Sequence, residues 1–211
     1  MTTFFAQHAG EIGRLTVEHL WLTISALLLA CAVAVPLGIL MTRYSALAQP
    51  SLFVANTVQT IPSLALFGFL LPLPWLGERA ARIAIAALTA YAVLPILRNT
   101  YAGIMGIDPA LQEVARALGM TTGQRLLKVE LPLASSFILA GIRTATVTCV
   151  GIATIAAAVG AGGLGELIFR GVASVDNRLV LAGAVPAALL ALATDFLLGL
   201  LERALRVQGR G

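Results

Sequence analysis

The chain is 211 residues long, 59% hydrophobic and only 11% charged, with a formal net charge of +4 and a mean hydropathy of +0.93. Soluble domains carry about a quarter charged residues, so this composition excludes one and leaves an integral membrane protein with room for about five spans of roughly 20 residues. The basic residues are scattered without an aromatic-basic patch, which argues against nucleic acid and for cations at membrane edges.

The chain reads as a single all-α, polytopic transmembrane domain over residues 1–211. Its first twenty residues contain Glu11 and Glu18 and no short apolar core ending in a small-residue cleavage site, so they read as a lead-in to the first span rather than a removable signal. Span one covers residues 20–40, with Trp21 as an interfacial anchor, and a short link carries Arg43. Span two, residues 51–71, is interrupted by Pro62 and ends in Pro72-Leu73-Pro74-Trp75, a proline-rich turn with a second interfacial tryptophan. Within it Asn56, Gln59, Thr60 and Ser63 fall at i, i+3, i+4 and i+7, a polar stripe that lipid would not tolerate. That stripe would line a solute path, with Pro62 loosening the backbone, or it would serve interhelical hydrogen bonding alone. Span three, residues 83–105, contains Pro95 and the pair Arg98-Asn99.

Residues 108–132 are a polar island in this apolar chain. Asp108 is placed to cap a helix whose first residue is Pro109. Leu111, Val114, Ala115 and Leu118 then recur at i, i+3, i+4 and i+7 as an apolar stripe, with Gln112, Glu113 and Arg116 on the other sides. Gly119 ends that helix. Thr121 followed by Gln124 has the pattern of a capping box, which opens a second short helix carrying Arg125 and Lys128 and stopping before Pro132. The island is too charged and too interrupted to span a bilayer, so it sits in water and meets a partner.

Span four begins beyond Pro132 and is expected to become lipid-bounded near Ile142, giving a span over residues 142–161. On it Gly141, Thr144, Thr148 and Gly151 form a face of small residues suited to close helix packing or a subunit interface. The glycine run 160–165 breaks the helix, and residues 166–177 form a connection long enough for a short helix. Span five, residues 179–201, carries Asp195. With the N-terminus outside, seven cations (Arg43, Arg116, Arg125, Lys128, Arg203, Arg206, Arg210) fall inside against five outside (Arg14, Arg79, Arg82, Arg170, Arg178), which puts the island and the C-terminus in the cytoplasm. Arg98, Arg143 and Asp195 then lie toward the inner ends of their helices. An ion pair between Asp195 and one of these arginines would fix an inner gate, the alternative being snorkelling to the interface.

No catalytic chemistry is indicated. His8 and His19 stand alone near the N-terminus, Cys31 and Cys149 lie in separate apolar runs without metal-ligand neighbours, and no nucleophile-base arrangement appears. The glycine run lacks the lysine and the serine or threonine of a phosphate-cradling loop, so no ATP hydrolysis, cofactor or metal is expected in this chain.

The spacing Glu113, Ala115, Gly119, Val129, Leu131-Pro132 resembles the E-A-A loop of ABC-importer membrane subunits, in register over 20 positions, with Val114 in place of an alanine and Val129 in place of an isoleucine. Gln-Thr-Ile-Pro-Ser-Leu-Ala-Leu (59–66), Leu-Pro-Ile-Leu-Arg-Asn-Thr-Tyr (94–101), Ala-Gly-Ile-Arg-Thr-Ala (140–145) and Gly-Ala-Gly-Gly-Leu-Gly (160–165) are similar to segments of the glycine betaine, carnitine and choline permeases, a likeness extending over residues 20–201. The resemblance implies a type I ABC-importer permease fold in a bacterial inner membrane. It also implies a coupling helix, with Glu113, Val114, Ala115, Leu118, Gly119 and Met120, that docks on a separate cytoplasmic ATPase.

Five spans are too few to enclose a path, so a second permease subunit is expected. With only 6% aromatic residues, no cation-π cage for a quaternary ammonium emerges, and solute recognition is expected in a separate extracytoplasmic binding protein. An amino-acid or other small-solute permease is the alternative within the superfamily. A passive channel or scaffold would explain the hydrophobicity but not the E-A-A spacing.

Overall fold

The computed structural model describes residues 2–73 and 79–208. Trp75 and Arg210, and the side chain of Arg206, lie outside the described residues. Among the described residues, four helices are long and apolar enough to cross a membrane, and a bent pair supplies a fifth span if its limbs are counted together.

α1 runs without a break over Thr2–Arg43, 42 residues or roughly 63 Å of helix. The lead-in before residue 20 is therefore helical, and span one is the C-terminal part of a much longer rod. The reason lies in distant parts of the chain. Phe4, Phe5, Ile12 and Leu15 pack with Leu164, Leu167 and Ala182, a second apolar cluster separate from the main core. Ion pairs of 2.5 Å, Arg14–Glu18 along the helix and Arg170–Glu11 across to a later segment, cover its polar side.

After a 3-10 turn at Ser45–Leu47, α2 (Ala48–Thr60) and α3 (Ser63–Leu70) meet at 101°. Ile61 is extended, at φ −72° and ψ 126°, as expected of a residue held out of the helical region by a following proline. Limbs of 13 and 8 residues are roughly 20 and 12 Å long, so neither alone crosses a hydrocarbon core of about 30 Å. The bend also corrects the expected polar stripe: Ser63 opens a different helix from Asn56, Gln59 and Thr60, and the four residues do not share one face.

α4 (Ala80–Met105) packs closely against both α1 and α7 (Leu131–Ala156). Its neighbours present small residues: Ala26, Ala30 and Ala34 on α1 and Ala145, Cys149, Ala153 and Ala156 on α7 are all completely buried. Small side chains at three- and four-residue spacing let backbones approach where lipid provides no hydrophobic drive for association.

Between α4 and α7 lie α5 (Pro109–Ala117) and α6 (Thr122–Arg125). The second helix does not stop before Pro132, as the sequence suggests. It passes through one π-helical turn, Leu126–Glu130, straight into α7, with no break at Ile142 or Arg143. Pro132 cannot donate to the carbonyl of Lys128, and its ring would press on that carbonyl; a widened turn absorbs both defects. Beyond α7, a 3-10 turn ends at Gly160, whose φ is +77°. α8 (Gly165–Ser174) then fills the expected connection, and α9 (Asn177–Gln208) packs on α7 and α8.

Candidate functional site

The polar island is built from local signals. Asp108 Oδ1 accepts the N–H of Ala110 at 2.9 Å with Pro109 next in line, which opens α5. At its other end Gly119 takes φ +73°. Gly119 N–H donates to Arg116 O (2.9 Å) and Met120 N–H to Ala115 O (3.1 Å), the two bonds of a Schellman ending. Thr121 Oγ1 accepts from Gln124 N–H (3.3 Å) while Gln124 Oε1 accepts from Thr121 N–H (2.9 Å), a complete capping box.

The resulting helix turns its apolar stripe outward: Leu111, Val114 and Leu118 are 47%, 57% and 72% exposed. Ala115 alone of the stripe is buried against the chain. Glu113 is exposed beside these side chains. An exposed apolar ridge on a rigidly capped helix, flanked by charge, is suited to seating in a partner's groove.

One buried group behind this surface escaped the sequence reading. Glu130, in the π turn, is fully buried. Its carboxylate accepts from Arg125 Nε at 2.8 Å and from Arg43, the last residue of α1. Burial of a charge demands such pairing. The pairing ties the island, the start of α7 and the end of α1 together. Its only sequence signal is a lone carboxylate at the join of an amphipathic helix and an apolar span.

Between α2, α4 and α7, a surface cleft of about 470 Å³ is lined by Gln59, Tyr91, Pro95, Arg98, Asn99, Thr144 and Thr148, with Leu94 and Ile152. Two backbone defects organise its walls. Pro95 has no N–H for the carbonyl of Tyr91, and Gln59 Nε2 donates to that carbonyl instead, at 3.0 Å. The α2–α3 bend frees the carbonyl of Ile61, which the Tyr91 hydroxyl satisfies. Asn99 Nδ2 donates to Pro95 O at 2.8 Å.

Of the residues expected to line a path, Gln59 faces this cleft, and Asn56 reaches it by accepting a hydrogen bond from Arg98 Nη2 at 2.8 Å. Thr60 donates to Thr57 O at 2.7 Å on α2. Ser63 lies beyond the bend. The face of small residues also divides: Gly141 is buried against Pro95 and Asn99 of α4, whereas Thr144 and Gly151 are exposed.

Arg98 and Arg143 have different partners. Arg143 makes a bidentate pair with Asp195, Nε to Oδ1 at 2.6 Å and Nη2 to Oδ2 at 2.7 Å, and its Nη1 donates to Glu202 Oε2 at 3.3 Å. The guanidinium lies over Gly199, where an added Cβ would come within 3.1 Å of it. Asp195, Gly199 and Glu202 therefore form a seat on α9 for an arginine from α7. Asp195→Asn is expected to leave complex assembly intact and to lower transport; uptake of labelled solute at the wild-type rate would show that the pair has no role in gating.

The glycine run holds no phosphate-binding side chains and packs on α1. Gly162 and Gly163 take φ of +86° and +82°. Gly163 N–H donates to Glu18 Oε2 at 3.2 Å, and the buried His19 donates from Nε2 to Val150 O at 3.1 Å. His19 is thus a packing element between α1, α7 and this loop.

A helical membrane subunit with a bent span, a polar cleft between its helices and an exposed capped helix is the architecture of a transport permease. Residues 34–207 match the family described as binding-protein-dependent transport system inner membrane component, and the chain belongs to that family. Curated relatives align over nearly the whole length. They include the choline transport system permease protein OpuBB of Bacillus subtilis (42% identical, covering 98% of this chain and 94% of the relative). The osmoprotectant import permease protein OsmW of Salmonella typhimurium is 43% identical (98% and 97%), and the carnitine transport permease protein OpuCB of Listeria monocytogenes is 44% identical (96% and 91%). Among solved structures, a chain of the inward-facing MetNI methionine ABC transporter superimposes with a TM-score of 0.77 at 24% identity, covering 89% of this chain and 93% of that one. A chain of an amino acid ABC transporter with histidines does so with a TM-score of 0.76 at 20% identity, covering 95% and 96%. These two likenesses concern the fold.

Proposed function

We propose that this chain is one of two membrane subunits of an ATP-driven importer for osmoprotectants of the glycine betaine, carnitine and choline class. The observation that carries the reading is the exposed ridge Leu111–Val114–Leu118 on a helix capped at both ends, in a chain more than 40% identical to permeases named for those solutes. In this reading the ridge, with Glu113, Ala115, Gly119 and Met120, seats in a cytoplasmic ATPase. A second permease, the same chain or a homologue, completes the path beside the exposed Thr144 and Gly151. The N-terminus lies outside, where an extracytoplasmic binding protein delivers solute, and the C-terminus lies in the cytoplasm.

Closure of the ATPase pair moves α5 and α6. The continuous helix through the π turn carries that displacement into α7, while the Glu130 pairings carry it into α1. The cleft between α2, α4 and α7 then changes its side of access.

The test is co-purification of the wild-type and Glu113→Lys chains with the cognate ATPase, followed by ATP hydrolysis in liposomes supplied with loaded binding protein. Glu113→Lys reverses a charge beside the ridge and is expected to reduce association about tenfold or more, as for one charged contact in an interface, while membrane insertion is unchanged. Equal association of both chains would remove the coupling assignment.

A further inference from the structure

Among the described residues, Arg98 has no carboxylate partner. Arg43 and Arg125 share Glu130, Arg143 is held by Asp195, and Arg14 and Arg170 have Glu18 and Glu11. The guanidinium of Arg98 instead makes one hydrogen bond, from Nη2 to Asn56 Oδ1 at 2.8 Å. Four of its five N–H donors remain for another acceptor. An ionised group in a span that lacks an opposite charge marks a functional site.

The surroundings of Arg98 narrow the choice of ligand. It lines the cleft of about 470 Å³, in which no lining residue is acidic. The other polar groups there each make a donation to backbone: Gln59 to Tyr91 O, Asn99 to Pro95 O, the Tyr91 hydroxyl to Ile61 O, Thr144 to Ala140 O and Thr148 to Thr144 O. The amides of Gln59 and Asn99 each keep one further N–H, but Arg98 is the one charged lining group and the one with several donors left in a fork. Leu94, Pro95 and Ile152 supply an apolar wall beside it. A positive, forked donor next to an apolar wall suits a small solute with a carboxylate and a bulky alkylated end, and it disfavours a bare cation.

Resting on the importer reading, we propose that Arg98 is a carboxylate-binding subsite in the translocation cleft, selecting zwitterionic solutes such as glycine betaine and carnitine over choline, which carries no carboxylate. Asn56 positions the guanidinium. Because a binding protein would set the apparent affinity for solute, the subsite acts on the maximal rate of passage rather than on KM.

The experiment uses the assembled transporter, both permeases, ATPase and binding protein, in proteoliposomes, with labelled glycine betaine, carnitine and choline at saturating binding protein. Arg98→Gln is expected to lower the maximal uptake of glycine betaine and carnitine about tenfold or more, the effect of losing one charge-assisted contact, without slowing choline and without changing KM. Arg98→Lys should restore part of the loss. Asn56→Asp places a competing carboxylate on the guanidinium and should depress the two zwitterions in the same way.

Equal loss of all three solutes in Arg98→Gln would mean a structural or subunit-pairing role and would overturn the proposal, as would no loss of any. A wild-type complex that assembles yet moves none of the three would overturn the importer reading itself, and the subsite with it.

Discussion

Gly119→Pro is expected to abolish solute uptake while the chain still inserts and the spans still pack. Proline holds φ near −65°, whereas position 119 requires +73°. Proline also removes the N–H that donates to Arg116 O at 2.9 Å, so the turn between α5 and α6 cannot form. A graded series separates this effect from a general defect. No atom lies within 4 Å of a Cβ at this position, so the penalty for other residues is purely one of backbone conformation. Asparagine, which tolerates the left-handed region, should be mildest. Alanine should cost about 1–2 kcal/mol, or roughly fivefold to thirtyfold in the population of the docked geometry. The readouts are uptake and ATPase co-purification, and wild-type uptake by the proline variant would end the assignment of this turn to coupling.

The second large effect belongs to Glu130. Replacing it by alanine leaves Arg43 and Arg125 facing each other without the carboxylate that neutralises them, in a place where Glu130 itself is wholly buried. Removing one member of a buried ion pair typically costs about 3–5 kcal/mol, which corresponds to roughly ten degrees of Tm in a chain of this size. Thermal unfolding of the purified permease in detergent reads this directly. Glu130→Gln, which keeps acceptor capacity but not charge, should fall between alanine and wild type. A Tm unchanged in Glu130→Ala would show that the cluster is not what joins the island to α1.

Local signals account for what was legible beforehand. The Asp108 cap, the glycine at 119 and the Thr121–Gln124 box each involve residues two to five apart, so their geometry follows from chain stereochemistry with little help from the rest of the molecule. The helical, multi-span character follows as directly, since backbone polar groups in hydrocarbon must be satisfied internally. Local pattern and structure part where distant contacts intervene. Pro62 marks an interruption in the sequence, but the 101° bend, and with it the separation of Ser63 from Asn56, Gln59 and Thr60, depends on α3 packing against α4 and α7. Pro132 has the local signature of a stop, whereas one π turn carries the helix past it.

Composition, hydropathy and the short-range caps were thus enough to define a helical membrane protein with a projecting amphipathic helix, because those properties are summed along the chain or closed within one helical turn. The cleft, the Glu130 cluster and the isolation of Arg98 arise between residues 32 to 87 positions apart, such as Gln59 with Tyr91, Asn56 with Arg98, Arg143 with Asp195 and Arg43 with Glu130. Which arginine obtains a carboxylate and which is left facing a cavity is a matter of how α1, α2, α4, α7 and α9 stack. That stacking is set by small-residue packing over the whole bundle, and no periodicity within a single helix encodes it.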